Sequence, residues 1–223
     1  MIYSRRAFVV RTLGGAATAA TVGLTRDFAV SAQTALSPEA ALQQLIDGNR
    51  RFAEGRMTSF NEDLEILKAK TVAQQQPFAA VLSCADSRVP VELIFDQSIG
   101  HVFVTRVAGN IASGPMIASL EYAVAVLGTP AIMVLGHANC GAVKAAIEAK
   151  PVPGQISTLF PYIRSAVDQA GADLEAAIKA NAKFQAEVLR HSSTVLAEHI
   201  KQNRLKIAAA HYDLTTGKVS LLD

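Results

Sequence analysis

The sequence has no block of Lys or Arg residues, and it contains only two cysteines in 223 residues. Its formal net charge is only +2 at pH 7. Because nucleic-acid binding requires positive charge clustered along one surface, no nucleic-acid partner is expected. No segment of the sequence repeats, which argues against a solenoid. The expected partners are therefore small molecules or further copies of the chain.

The N-terminal stretch is typical of an export signal. Residues 4–8 read S-R-R-A-F, which resembles the core of a twin-arginine signal, and the Gly/Ala-rich stretch after it is too short and too mildly apolar to span a bilayer stably. Val30 and Ala32 fit a small-residue cleavage site near Ala32. We therefore expect residues 1–35 to be a signal peptide and connector that direct the protein to the periplasm or otherwise out of the cell. No stable membrane anchor is expected after cleavage; the alternatives are an uncleaved anchor and a basic amphipathic tail.

The remaining residues, 36–223, predict a single α/β domain. Ser37 and Pro38 mark the start of a helix whose apolar pattern ends near Gly48. Further on, the patterns predict a polar helix over 64–75, strands at 78–82, 101–107 and 131–136, a helix ending near 128, a helix through 144–149, two longer helices, and a terminal hairpin from 205 to 222. Strands that alternate with helices form parallel β-α-β units, so we expect a central, mostly parallel sheet flanked by helices.

The first expected strand ends in a chemically unusual motif, V-L-S-C-A-D-S-R-V-P at positions 81–90. Cys84, Asp86 and Arg88 occupy every second position where the strand should emerge into solvent. Ligands of parallel sheets gather at this edge, beyond the carboxyl ends of the strands. A guanidinium such as that of Arg88 holds a carboxylate in a fixed orientation and keeps it ionised.

The third expected strand leads into a second motif, G-H-A-N-C-G at 136–141, with two residues between His137 and Cys140. Together with Cys84, these residues offer two thiolates and one imidazole, a set that Zn²⁺ prefers. A catalytic zinc site leaves the fourth position for water. Asp86 could instead become the fourth ligand in a closed form, or leave the metal and accept a hydrogen bond from bound hydroxide.

Each of these features also has a plain structural explanation. Cys84 and Cys140 could form a disulfide, which an oxidising compartment favours. His137 could be an ordinary loop histidine, and Asp86 and Arg88 could form an ion pair of little energetic consequence.

The motifs C-A-D-S-R-V-P and G-H-A-N-C-G, joined by F-V-T-R-V-A-G-N and S-L-E-Y-A, are similar to those of the β-class carbonic anhydrases. The resemblance runs from Leu36 to the C-terminus. It implies one zinc ion per chain bound by Cys84, His137 and Cys140, an Asp86–Arg88 dyad, and reversible hydration of carbon dioxide to bicarbonate and a proton through attack by zinc-bound hydroxide. It also implies a homodimer or a higher homo-oligomer, with the N-terminal helices packed on the partner and the active sites at the interface.

The resemblance extends to five residues of the expected substrate pocket. Gln75 matches an amide donor to substrate or bicarbonate, and Phe103 and Tyr122 match an aromatic wall around carbon dioxide. Ala108 stands in that pocket where the family often has Val, and Gly141 matches a glycine whose N–H faces the bound anion. Core packing is the alternative role for Phe103 and Tyr122.

Two departures from the family pattern bear on function. His101 replaces an acidic residue, which makes it either a surface histidine or a proton shuttle. The second departure is that the chain has no tryptophan. Family members inhibited by bicarbonate bind it with a tryptophan, an arginine and a tyrosine. Val81 occupies the tryptophan position in this chain, while Arg106 and Tyr212 match the other two. Because the indole donor is missing, we expect no cooperative inhibition by bicarbonate.

Other functions remain open on the sequence. Some relatives hydrolyse carbonyl sulfide or carbon disulfide with the same ligands, and a non-catalytic module held by zinc or a disulfide would also suit an exported protein. The H-x-E and P-C-x-x-C motifs of zinc-dependent nucleobase deaminases are absent from the sequence.

Overall fold

The structure is a computed structural model that describes residues 36–59 and 71–222. The expected signal peptide and connector, residues 1–35, lie outside the described residues, as does most of the helix expected over 64–75. The last part of that helix prediction is wrong, because residues 71–73 form a turn and 74–77 have no regular structure. Pro77 biases the residue before it toward extended backbone. Among the described helices, none has the length and apolar character needed to cross a membrane.

One five-stranded sheet forms the centre of the fold. Its strands are β1 (Ala79–Ser83), β2 (Val102–Arg106), β3 (Ala131–His137), β4 (Lys206–Tyr212) and β5 (Val219–Leu222). They lie side by side in the order β2-β1-β3-β4-β5, and all neighbours are parallel except the β4–β5 pair. Every residue of β1 and β3 is buried, as is typical of parallel strands covered on both faces. The predicted mostly parallel sheet and terminal hairpin are confirmed.

Helices cover both faces of the sheet. They are α1 (Pro38–Ala53), α2 (Val91–Ile94), α3 (Gly114–Ala125), α4 (Gly141–Glu148), α5 (Phe160–Ala170), α6 (Leu174–Ser192) and α7 (Thr194–Lys201), with a short 3₁₀ helix at Ile156–Leu159. Three helices, rather than the expected two, follow the Pro/Gly loop. The division between α6 and α7 falls at Ser193, whose backbone is extended and whose hydroxyl caps α7 by accepting the Leu196 N–H at 3.0 Å.

The core is divided by the sheet into separate apolar clusters. On one face, Leu42 and Leu45 of α1 pack with Phe95 and with β1 and β3 of the same chain. On the other face, α3, α6 and α7 cover the sheet. A third cluster surrounds the carboxyl ends of β1 and β3 and includes Cys84 and Cys140. The buried side of α1 therefore contacts its own sheet, and the expected packing of N-terminal helices on a partner stays a prediction.

Helix α1 begins as expected but continues past Gly48. Ser37 Oγ accepts the Ala40 N–H at 3.2 Å, whereas the helix ends only at Ala53. Gly48 lies against the main chain of Phe95, and a β-carbon built on Gly48 would be 1.8 Å from the Phe95 carbonyl oxygen. The glycine therefore marks a close contact between two backbones and not the end of the helix.

We expect Gly48→Ala to lower the free energy of unfolding by roughly 3 kcal/mol, the upper end of the usual cost of overpacking, because α1 must move away from Phe95. Denaturant unfolding monitored by circular dichroism measures the change. Gly114→Ala is the matched control, since Gly114 also lies in a helix and a β-carbon there meets no atom within 4 Å. Equal stability of the two variants would show that the Gly48 contact is readily relaxed.

Candidate metal centre

The two sequence motifs meet at the carboxyl edge of the sheet. Cys84 directly follows β1, His137 is the last residue of the adjacent strand β3, and Cys140 is the N-cap of α4. All three side chains are buried, and their ligand atoms lie within 4.8 Å of one another. The parallel pairing of β1 with β3 therefore assembles the predicted Cys-His-Cys cluster.

The sulfur atoms of Cys84 and Cys140 are 4.0 Å apart, and both cysteines are free. A disulfide requires a sulfur separation of about 2.05 Å, so the structure contradicts the disulfide alternative. By contrast, two sulfurs bound tetrahedrally to one zinc ion at about 2.3 Å each would be separated by roughly 3.8 Å. The observed spacing suits a shared metal ion.

His137 presents an unused ring nitrogen to this cluster. Its Nδ1 lies 2.9 Å from the Ala138 carbonyl oxygen, which fits a proton on Nδ1 donated to that oxygen. Its Nε2 is buried and has no hydrogen-bond partner among the described residues. A buried polar atom without a partner is costly, and in this tautomer Nε2 carries a free lone pair. The residues present therefore fit a metal ion bound by Nε2 and the two sulfurs.

The pKa values of the two cysteines are shifted in opposite directions. Hydrogen bonding from the Cys140 thiol, helped by the Gly109 N–H at 3.3 Å, lowers the pKa of Cys84 to about 4. The Cys84 thiolate in turn raises the pKa of Cys140, although the N–H groups of Ala142 and Val143 at the start of α4 act in the opposite direction. A second thiolate at this spacing requires a nearby positive charge, which a divalent cation would supply.

Asp86 and Arg88 form a two-pronged ion pair beside the cluster. Arg88 donates from Nε to Asp86 Oδ1 at 2.9 Å and from Nη2 to Oδ2 at 2.8 Å, and its backbone N–H also donates to Oδ1 at 2.9 Å. These bonds hold the pKa of Asp86 well below its usual range. Asp86 Oδ2 is 3.8 Å from His137 Nε2. The ionised carboxylate therefore lies next to the ligand atoms, with its orientation set by Arg88.

Arg106, at the end of β2, stabilises the turn that carries both Cys84 and Asp86. Its Nε donates to the Cys84 carbonyl at 3.0 Å and its Nη2 donates to the Asp86 carbonyl at 2.6 Å. The sequence indicates Arg106 only as part of a bicarbonate site and carries no signal of this contact. Of the other two residues named there, Val81 is fully buried in β1 and Tyr212 is buried at the end of β4. The expected absence of cooperative bicarbonate inhibition stays a prediction.

The expected pocket residues are distributed unevenly around the centre. Ala108 precedes Gly109, whose N–H contacts Cys84, and Gly141 is the first residue of α4, with open space where a β-carbon would lie. Phe103 and Tyr122 pack together with ring centroids 6.4 Å apart, and Tyr122 is 47 % exposed. Their expected roles toward substrate stay predictions.

Gln75 and His101 lie toward the other end of the sheet. Gln75 is exposed and precedes the amino end of β1, while His101 precedes β2 and its carbonyl accepts the Phe78 N–H at 3.0 Å. Cys84 follows the carboxyl end of β1, roughly 16 Å away for a five-residue strand. A direct proton-shuttle role for His101 at the centre of its own chain therefore does not fit the structure.

Comparison with known proteins agrees with this geometry. The carbonic anhydrase family model matches residues 79–219. The carbonic anhydrase of Mycolicibacterium smegmatis is 35% identical over 196 residues, spanning 83% of this chain and 93% of that protein. Carbonic anhydrase 2 of Mycobacterium tuberculosis is 34% identical over 201 residues, spanning 84% and 94%.

A solved structure also resembles the chain. The Coccomyxa β-carbonic anhydrase in complex with acetazolamide matches with a TM-score of 0.65 and 28% sequence identity, covering 81% of this chain and 86% of its own. The chain therefore belongs to the β-carbonic anhydrase family. Its activity is that of a carbonic anhydrase.

We expect the purified protein to bind one divalent metal ion per chain and Cys84→Ser to lose nearly all of it, because a neutral hydroxyl replaces a buried thiolate ligand. Elemental analysis together with a free-thiol count measures both quantities. Ser83→Ala is the control, since Ser83 is the buried neighbour of Cys84 and is not one of the three candidate ligands. Full metal retention by Cys84→Ser would contradict the ligand assignment.

Proposed function

We propose that the protein is a zinc-dependent carbonic anhydrase that converts carbon dioxide and water reversibly to bicarbonate and a proton. The observation that carries this proposal is the buried cluster of Cys84, His137 and Cys140 beside an Asp86 carboxylate held by Arg88. The cluster offers the donor set that zinc prefers, with three ligands, as in catalytic rather than closed structural sites. The family membership supports the same reaction.

Cys84, His137 and Cys140 are the residues that would hold one zinc ion per chain. When bound, zinc lowers the pKa of a coordinated water toward neutrality and so supplies a nucleophile. The Gly109 N–H on Cys84 and the start of α4 at Cys140 both place partial positive charge next to the sulfurs. These contacts withdraw negative charge from the thiolates, which favours an acidic metal centre.

Asp86 and Arg88 would orient the attacking water. A carboxylate has about four lone-pair positions, so Asp86 retains acceptor capacity beyond the three bonds from Arg88. A water that donates to Asp86 directs its own lone pair away from the carboxylate and toward carbon dioxide. Arg88 keeps Asp86 ionised, and its further bond to the Asn139 carbonyl at 3.3 Å links the dyad to the loop between His137 and Cys140.

Of the expected pocket residues, Ala108 lies at this edge, whereas Phe103 pairs with Ala80 near the amino end of β1 and packs against Tyr122. Phe103 and Tyr122 would therefore provide an apolar surface for carbon dioxide, which has no net charge or dipole to recognise, at the centre of another copy of the chain. Gly141 is the first residue of α4, with open space where a β-carbon would lie, and the partial positive charge at a helix N-terminus suits the negative charge of bicarbonate.

The exposed edge of the sheet supports a homodimer or higher homo-oligomer. Strand β2 is an edge strand whose first three residues are only half buried, and about half of the surface of Tyr122 beside it is exposed. Edges of this kind are usually covered. Since Gln75 precedes the far end of β1, its expected contact with substrate would be made at the centre of another copy of the chain.

The zinc and dyad assignments are tested by stopped-flow hydration of carbon dioxide with metal-quantified protein. We expect Asp86→Ala and Arg88→Ala to retain zinc but to lose roughly 10- to 100-fold in turnover, because neither supplies a thiolate yet both orient the water.

Repeating the assay with added bicarbonate should give a non-sigmoidal response, as the missing tryptophan suggests.

Lys144→Ala, an exposed position on α4, serves as the control and should keep wild-type turnover. Wild-type rates in both dyad variants would make the pair a structural ion pair only. Metal-loaded wild-type protein without hydration activity would contradict the proposed function itself.

We further infer, from the sequence of residues 4–8, that the protein is exported by the twin-arginine route. Replacing Arg5 and Arg6 by Lys should leave uncleaved protein in the cytoplasm, since the paired guanidinium groups are the recognised feature. Fractionation and immunoblotting of a bacterial host that expresses each version measure the change. Unaltered delivery of the double-lysine variant would indicate a general secretory signal instead.

A further inference from the structure

Helix α6 carries two fully buried amide side chains, Asn181 and Gln185, spaced four residues apart on one face. Gln185 Nε2 donates to Asn181 Oδ1 at 3.0 Å. A buried amide is costly unless its donors and acceptors are bonded. Further bonds from this pair lead out of the helix toward the metal centre.

Those bonds anchor the loop between β2 and α3 at two points. Asn181 Nδ2 donates to the Gly109 carbonyl at 2.9 Å. Gln185 Oε1 accepts the Ala112 N–H at 2.9 Å, and Gln185 Nε2 also donates to the Tyr162 carbonyl of α5 at 2.8 Å. Helix α6 thus fixes the position of this loop through hydrogen bonds at Gly109 and Ala112.

The same loop also contacts Cys84, one of the three candidate metal ligands. The Gly109 N–H donates to Cys84 Sγ at 3.3 Å. Gly109 has a φ of +78°, and a β-carbon there would lie 2.9 Å from Ile163 Cδ1. The N–H and the carbonyl of Gly109 lie on either side of one α-carbon. The hydrogen bond from Asn181 to the carbonyl therefore restricts rotation of the preceding peptide, which carries the N–H.

We propose that Asn181 and Gln185 are positioning residues of the metal centre: they hold Gly109 so that its N–H donates to Cys84 Sγ, and they thereby set how strongly that sulfur binds the metal. The proposal rests on the proposed function, since it takes Cys84 as a ligand. Among the described residues, neither amide is hydrogen-bonded to Cys84, His137 or Cys140, and both act through the loop. An N–H bond to a thiolate withdraws charge from sulfur, so its loss should alter the metal–sulfur bond.

The test is the absorption spectrum of Co²⁺-loaded protein, in which thiolate-to-cobalt charge transfer reports on the sulfur. Asn181→Leu keeps the shape of the side chain but removes the donor to Gly109. We expect the charge-transfer band to move to longer wavelength and zinc affinity, measured by competition with a chelator, to fall roughly 10-fold. Gln185→Leu leaves the Asn181–Gly109 pair in place and should give a smaller change in the same direction.

Leu189→Val on the same helix is the control, because Leu189 is fully buried but belongs to the apolar cluster away from the cysteines. It should lower stability while leaving both the band and the affinity unchanged. Wild-type bands and affinities in both amide variants would overturn the proposal, as would equal shifts in Leu189→Val. If Asn181→Leu does not fold, the cobalt spectrum and the zinc affinity of Gln185→Leu test the proposal, and wild-type values of both would overturn it.

These outcomes separate the inference from the proposed function. A thiolate band that shifts in the amide variants of a protein inactive toward carbon dioxide would retain the positioning role and reject the activity. A wild-type spectrum without any thiolate band would reject Cys84 as a ligand and with it the positioning role.

Discussion

The parallel pairing of β1 with β3 is the constraint on which the rest of the site depends. Ser83 pairs with Leu135, so Cys84, one residue further along β1, and His137, two residues further along β3, lie at the same edge of the sheet. A slip of one residue would turn every side chain of a strand to the opposite face. Because both strands are buried on both faces, the apolar packing that specifies this register also specifies the position of the ligands.

Near Cys84 and His137, positive partial charges lie close to the sulfur atoms, and a positive charge balances that of the adjacent ionised carboxylate. The partial positive charges come from the Gly109 N–H and from the start of α4. The guanidinium of Arg88 forms an ion pair with Asp86. Arg106 bonds the carbonyls of both Cys84 and Asp86, so thiolate and carboxylate are held by one turn. The geometry of the dyad and that of the cluster are therefore coupled through the backbone.

The strands and the Cys-His-Cys cluster could be predicted from sequence because both follow from local patterns: apolar runs, and polar residues where those runs end. The continuation of α1 through Gly48 could not, since it depends on Phe95, a residue distant in the chain. The contacts of Arg106, Asn181 and Gln185 with the site were missed for the same reason. No local signal separates a buried amide that supports a loop from an ordinary polar residue on a helix.

The burial of the three ligands also bears on how the protein obtains its metal. Cys84, His137 and Cys140 are at most 4 % exposed, so protein atoms would shield most of the surface of an ion bound by them from bulk solvent. The intrinsic preference of thiolate ligands would favour copper over zinc, and cells normally settle that competition through metal availability. The metal present while the chain folds would then be retained, because burial of the ligands slows its exchange with other ions.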